Sequence, residues 1–311
     1  MAMRFFLFYI ISIIAYAGET FAQSDTTLNW QGHHVTLTPV VVGKGLDWPL
    51  LIQRIRDDSS FYKAFKNLRI LEYAAVNDVR MLDRKKQLKA WLHSTTVQHR
   101  SNQCRTMEVL SEQLSGDVYN KDHGWNYYTM AMYASLFFTK GKVCNETNVI
   151  QQESFTLAGK SGIEKHKEQL KMLFFNPGKR IDGIPMVSNK TGIFDDVLLQ
   201  HYDLAIDYEW LNGRQCLSFT QKVKPESVGQ VVVDEMKTWL DEETNEVLAR
   251  NYHLSFDAGI YDFDVRMEVV MTHAEGLLVP SVIRYVGDWK LLFKSRERGV
   301  FTATLSGFKK P

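Results

Sequence analysis

The sequence has almost no excess of charge of either sign: 37 Lys and Arg stand against 36 Asp and Glu, a formal net charge of +1. So even a balance excludes the electrostatic footprint of a nucleic-acid-binding protein. The locally basic stretch Arg80, Arg84, Lys85, Lys86 and Lys89 reads as a solvated tip around a turn. Cysteine is scarce. Cys104, Cys144 and Cys216 permit at most one internal disulfide, and their separations of 40 and 72 residues match no zinc pattern. A core of this size needs no staple, so the three read mainly as buried thiols, with Cys104–Cys144 the one bridge considered. Pro-rich, Ser-rich and repeated stretches are missing from Gln23 to Pro311, so no linker divides the chain. Also missing are Gly-x-Ser-x-Gly, His-Glu-x-x-His, a phosphate-binding glycine loop and Cys-x-x-Cys, which leaves no specific reason to propose an enzyme, a cofactor or a metal site.

What is present begins at the N-terminus. Arg4 precedes an apolar run from Phe5 to Ala17, and Ala15-Tyr16-Ala17 and Thr20-Phe21-Ala22 are both usable cleavage sites. A basic start followed by about 7–15 apolar residues has the dimensions of a secretory signal peptide and is too short to span a bilayer. The sequence therefore divides into a signal peptide at 1–22, an N-terminal extension at 23–48 and a single domain at 49–311. That places the mature chain in the periplasm of a Gram-negative bacterium or outside the cell, peripheral to a membrane at most. The sequons at Asn145 and Asn189 matter only in a eukaryote.

Helical signals are few. Leu51, Ile55, Asp58, Tyr62 and Phe65 recur at steps of three and four after Trp48-Pro49 and predict one helix. Trp125–Thr139 is apolar almost all round and predicts a buried helix, plug or lid. Ser161-x-x-Glu164 is a capping box before Ile163, Leu170, Leu173 and Phe174, and Asn176-Pro177-Gly178 ends that helix.

Strand signals dominate the rest. Leu71–Leu92 reads as two strands about a charged turn at Asp83–Lys86. Tyr202, Leu204, Ile206, Tyr208 and Trp210 alternate strictly with polar residues, and Asn212-Gly213 supplies a type I′ turn. That turn sets Tyr208 opposite Leu217, Ile206 opposite Phe219 and Tyr202 opposite Val223. Further strands are expected at Val231–Leu240, Val247–Phe256, Tyr261–Met271, Pro280–Val286, Trp289–Ser295 and Phe301–Phe308. The fold class is α+β, a curved antiparallel β-sheet, or half-barrel, wrapped around helices.

Candidate chemistry is thin. His33-His34 reads as an exposed loop pair, His123 as a turn residue lacking a nucleophile, and Asp257, Asp262 and Asp264 as a solvated face. The aromatic and Met-rich face is the better candidate, an apolar cavity formed by Tyr202, Ile206, Tyr208, Phe219, Phe263, Val265, Met267, Tyr128 and Met132. The alternative is that the helices fill this face and leave a solid core.

Two stretches carry a resemblance. Lys237-Thr-Trp-Leu-Asp-Glu-Glu-Thr-Asn-Glu-Val-Leu-Ala-Arg250, followed by Gly276-Leu-Leu-Val-Pro280, resembles the C-terminal half of LolA/LolB-like outer-membrane lipoprotein-sorting proteins. Val35–Val42 and Asn212-Gly-Arg-Gln-Cys-Leu-Ser-Phe219 before Lys222-Val-Lys-Pro225 resemble uncharacterised secreted proteins of Bacteroidetes. The likeness covers Val197–Phe308 and, more loosely, Val35–Leu92. It implies a half-barrel with an apolar cavity for the acyl chains of lipids or lipoproteins, hence a chaperone-like envelope protein. The arginine that latches the lid of sorting proteins has no matching position, Arg69 and Arg80 being the candidates. An envelope interaction module without ligand and a hydrolase around His123 or His253 are the rival readings. Export has a direct readout: N-terminal sequencing of the secreted chain should begin at Gln23 or Gly18, and a mature chain retaining Met1 contradicts it.

Overall fold

The computed structural model describes residues 24–43, 45–149, 172–182, 186–257, 259, 262–290 and 295–311. The signal peptide, the capping box at Ser161–Glu164 and Tyr261 lie outside the described residues.

Among the described residues, alternation along the chain becomes thirteen strands of one sheet. Those of the first half are β1 (Thr26–Trp30), β2 (His33–Leu37), β3 (Glu72–Leu82), β4 (Leu88–Ser101), β5 (Cys104–Gly116) and β6 (Val143–Cys144). The second half supplies β7 (Tyr202–Leu211), β8 (Arg214–Val223), β9 (Val233–Leu240), β10 (Val247–Asp257), β11 (Asp262–Ala274), β12 (Leu277–Lys290) and β13 (Glu297–Lys309). β7 to β13 run as the expected antiparallel meander, and β13 then pairs with β3, so the sheet continues through β4, β5 and β6. At the other edge the β1–β2 hairpin joins through a parallel pairing of β2 with β7, Val35 opposite Leu204. Residues read from the sequence as an N-terminal extension thus form part of the sheet.

The width of the inner face forces it to curve. Leu204, Gln221, Met236, Tyr252, Met267, Tyr285, Phe301, Val79 and Leu92 stand opposite one another from β7 to β4, and all are buried. Laid flat, nine strands would span about 38 Å. Helices this short cover such a row only if the sheet curls round them, which is the expected α+β half-barrel. One continuous core joins these strands to helices α1 (Pro39–Gly43), α2 (Trp48–Asp57), α3 (Ser60–Asn67) and α4 (Tyr128–Phe137).

Several elements differ from the sequence expectation, each for a local reason. The single helix after Pro49 is two, because the Asp58 carboxylate accepts from Ser60 N at 2.9 Å, Ser60 Oγ at 2.6 Å and Phe61 N at 3.4 Å, starting a new helix. Trp289 does not open a separate strand: it is the penultimate residue of β12, which runs unbroken from Leu277 to Lys290. β5 has no strict alternation to announce it in the sequence, because a bulge between the pairs Thr95–Ser111 and Thr96–Val109 breaks its period. The reading of three buried thiols also fails for two of them. Cys104 and Cys144 stand directly opposite in β5 and β6 and form a disulfide, leaving Cys216 buried and free.

Helix α4 is fixed from outside its own sequence. The Glu297 carboxylate on β13 accepts from Tyr128 N and Thr129 N, both at 2.8 Å, and from Thr129 Oγ1 at 2.9 Å. These are first-turn N–H groups that no residue within the helix satisfies. Gly299 lets the helix approach, since a Cβ there would lie 2.7 Å from Thr129 Cγ2.

The β7–β8 hairpin has the expected register, with Ile206 opposite Phe219 and Tyr208 opposite Leu217. Its tip shows φ of 50° at Asn212 and 81° at Gly213. Gly213→Val should destabilise the protein by about 1–3 kcal/mol through backbone strain alone, since no atom lies within 4 Å of a Cβ there. Urea unfolding of that variant indistinguishable from wild type would refute the turn assignment.

Candidate ligand-binding site

Where β3, β4 and β5 pass beneath α3 and α4, the curved sheet leaves a recess of about 130 Å³. Its apolar wall is made by Tyr62, Phe65, Leu68, Leu136, Phe137, Met172 and Phe175, the last two from a helical turn at 172–175. The sequence explains this wall: α3 and α4 each turn one apolar side towards the sheet, and Phe65–Phe175 close edge-on with ring centroids 4.9 Å apart.

The opposite wall is polar and cationic, with Lys66, Arg69, Gln98 and Arg105. Gln98 is held by its amide, which donates to the carbonyls of Leu68 and Leu71, both at 2.7 Å. Its Oε1 is thereby turned towards Arg105 Nη1, which donates to it at 3.2 Å and also to Thr139 Oγ1. Arg105 Nε donates to Glu146, which Arg69 also faces at 3.5 Å. Only 15% of the Arg105 side chain and 21% of the Glu146 side chain is exposed, so this pair is weakly screened. Burial pushes the Glu146 carboxyl up, but the Arg105 hydrogen bond and the charges of Arg105, Arg69 and Arg100 outweigh it and hold the group below the usual glutamate range. Burial raises the Tyr73 hydroxyl to about 12, against the opposing charge of Arg105. The Ser135 hydroxyl at the rim donates to Met132 O at 2.6 Å. The recess is an apolar slot beside fixed positive charge.

The nine residues expected to form the cavity lie elsewhere. Tyr202, Ile206, Phe219, Phe263, Val265, Met267 and Met132 are buried in the core, and Tyr208 and Tyr128 are half-buried against it. The fold does bring them onto the concave side, yet none lines the recess. Tyr202 Oη donates to Val233 O at 2.7 Å, and Tyr128 packs edge-on to Trp289 at 4.6 Å. Sequence alone does not mark Gln98, Arg105 and Glu146 as a group, because the pairing of β4 with β5 and of β5 with β6 is what brings them together. Arg69, a candidate for the latch, lines the recess, whereas Arg80 binds Asp78 at 2.6 Å on the exposed face.

The histidines stand apart from this site. His33 and His34 lie in β2, not in a loop, and His123 is exposed in a turn with φ of 55°. His253 sits between Asp264 at 2.9 Å and Asp234 at 3.4 Å on the outer face, and Asp262 pairs with Arg296.

No family model and no curated protein matches the sequence. Among solved structures the chain is similar to a DUF1329 family protein from Desulfovibrio piger, at 12% identity over 81% of this chain and 94% of that one, with a TM-score of 0.26. It is also similar to an outer membrane lipoprotein-sorting protein domain from Vibrio parahaemolyticus, at 9% identity over 84% and 90%, TM-score 0.28. A LolA superfamily protein from Nitrosomonas europaea gives 10% over 81% and 92%, TM-score 0.24. Lipoprotein-sorting proteins, which the sequence resembles, are thus among these likenesses. Such TM-scores assign no function, and the half-barrel stands on the strand order and core described above. Among the described residues no helix is long and apolar enough to cross a membrane.

The low Glu146 value has a stability consequence. The folded carboxyl titrates below its unfolded counterpart, so between the two values the unfolded chain binds the extra proton and stability rises with pH. Wild-type stability in urea should therefore fall as pH drops from about 6 towards 3. Glu146→Gln should remove part of that slope. Equal slopes for the two proteins would contradict the ion-pair reading.

Proposed function

We propose that the protein is an exported binding protein of the cell envelope that holds the apolar chain of an amphiphile, such as a lipid or lipoprotein acyl chain, beneath α3 and α4. The observation carrying this reading is the two-sided recess: aromatic and aliphatic side chains on one wall, Lys66, Arg69 and Arg105 on the other. Apolar contact area gives affinity for a chain, while guanidinium and ammonium groups beside it suit a carboxylate or phosphate at its end.

The space of about 130 Å³ is close to that of an engineered cavity of about 150 Å³ which takes up benzene, so it admits the end of a chain. A longer chain requires the helices to part from the sheet. In that opened state the inner face of Tyr202, Ile206, Tyr208, Phe219, Phe263, Val265 and Met267, with Tyr128 and Met132 on α4, becomes the rest of the site. Export follows from the N-terminal apolar run, and the ligand is its partner in this reading.

Equilibrium binding of a fluorescent fatty acid tests it. Wild type should bind the probe, and Ser135→Trp, which adds bulk at the rim without removing a core contact, should weaken binding by about tenfold or more at unchanged melting temperature. A wild type that binds no probe refutes the carrier reading and favours an envelope interaction module with a filled core.

A further inference from the structure

The polar wall of the recess carries Lys66, Arg69 and Arg105, and among the described residues lining it there is no carboxylate. Opposing charge reaches this wall from outside the lining, from the short strap 143–148 that contains β6. Glu146 in this strap accepts from Arg105 Nε through Oε2, and its Oε1 stands 3.5 Å from Arg69 Nη1. One carboxylate thus spans two guanidinium groups. Close by, Arg100 Nη1 donates to Arg69 O, and Glu72 accepts from Arg100 N. Arg69, Arg100 and Arg105 therefore stand against Glu146 and Glu72, three charges against two, and the excess is positive.

The chain, as much as the charge, brings Glu146 to this place. Cys144, two residues before it, is bonded to Cys104, the neighbour of Arg105. Asn145 N donates to Gln103 O at 3.0 Å, and beyond Glu146 the Asn148 amide donates to Asn67 Oδ1 at 2.8 Å. Glu146 is therefore pinned on both sides. A group on so short a tether acts at an effective concentration on the order of millimolar or more, so a small acid in solution competes with it poorly. An acid with an apolar chain differs, because Phe65, Phe137 and Phe175 on the facing wall offer it contact area that Glu146 does not use.

We propose that Glu146 is a built-in occupant of the Arg105–Arg69 pair, and that the ligand of the recess is an amphiphile ending in a carboxylate, which takes this pair over from Glu146 as its chain enters the slot. The inference rests on the carrier reading above and narrows its ligand to a chain-bearing carboxylic acid. Glu146 itself supplies the reason for that class: the two guanidinium groups already stand where one planar carboxylate reaches both. Exchanging one carboxylate for another keeps the half-buried guanidinium groups paired, whereas an uncharged end group gains nothing from them. Glu146 thereby makes the slot selective, since only an acid whose chain fills the apolar wall offsets its displacement.

Equilibrium affinity is measured for a fluorescent fatty acid and for the alcohol of the same chain and fluorophore, with wild type, E146Q and E108Q. Glu108 lies three residues beyond Arg105 on β5 and pairs with His99 at 3.1 Å, so E108Q removes an equal charge from the other face of the sheet. E146Q should bind the acid about fivefold tighter or more, with the alcohol and E108Q both within about twofold of their wild-type values. If E146Q melts below the assay temperature, C104S/C144S, which loosens the tether of Glu146, is read in its place and should shift the acid in the same direction. An acid affinity that stays at the wild-type value, or an equal gain in E108Q or towards the alcohol, overturns this inference and leaves the carrier reading standing. Absence of acid binding by wild type and variant alike overturns both.

Discussion

The inner row running from Leu204 on β7 to Leu92 on β4 sets the architecture, because each of its nine positions must be kept from water. Nine strands are too many for short helices to cover on a flat sheet, so burial of that row and curvature of the sheet are one constraint. The row also ends where the covering ends. Its next member, Leu114 on β5, is 45% exposed, and β5 is exposed along most of its length. The recess lies near this boundary, where the described helices stop covering the sheet.

Curvature brings with it the polar groups that hold the helices in place. Glu297 serves α4 from β13, and Tyr133 Oη donates to Asn77 Oδ1 on β3 at 2.6 Å. A buried hydroxyl or helix N-terminus without such partners costs more than its hydrogen bond would contribute, so these contacts fix where α4 sits. Arg250 is the other buried polar anchor, donating to Thr238 Oγ1 at 3.0 Å and lying 4.4 Å over the Phe61 ring. Burial lowers its affinity for a proton against the opposing charge of Asp58, 3.7 Å away. α3 and α4 are thus tied to different strands, β10 holding one and β13 with β3 the other, and the recess lies between them.

The sequence alone determined what is local. Strict alternation in Tyr202–Trp210 dictated which side of β7 is buried, and Asn212-Gly213 dictated the register with β8, since a type I′ turn admits only one pairing. The buried helix at Tyr128–Phe137 was legible because its apolar residues leave no polar face. The tertiary structure decided what depends on distant partners. Nothing near Glu72–Leu82 announces that it pairs with Glu297–Lys309, and without that pairing Glu297 has no helix to cap. Cys104 and Cys144 became a disulfide only because β6 lies directly across from β5, and the same pairing brings Glu146 to Arg105. Residue patterns record which face of a strand avoids water; they do not record which strand comes to lie beside it. The recess is made from such neighbours, so its charge could be read only after the chain had closed on itself.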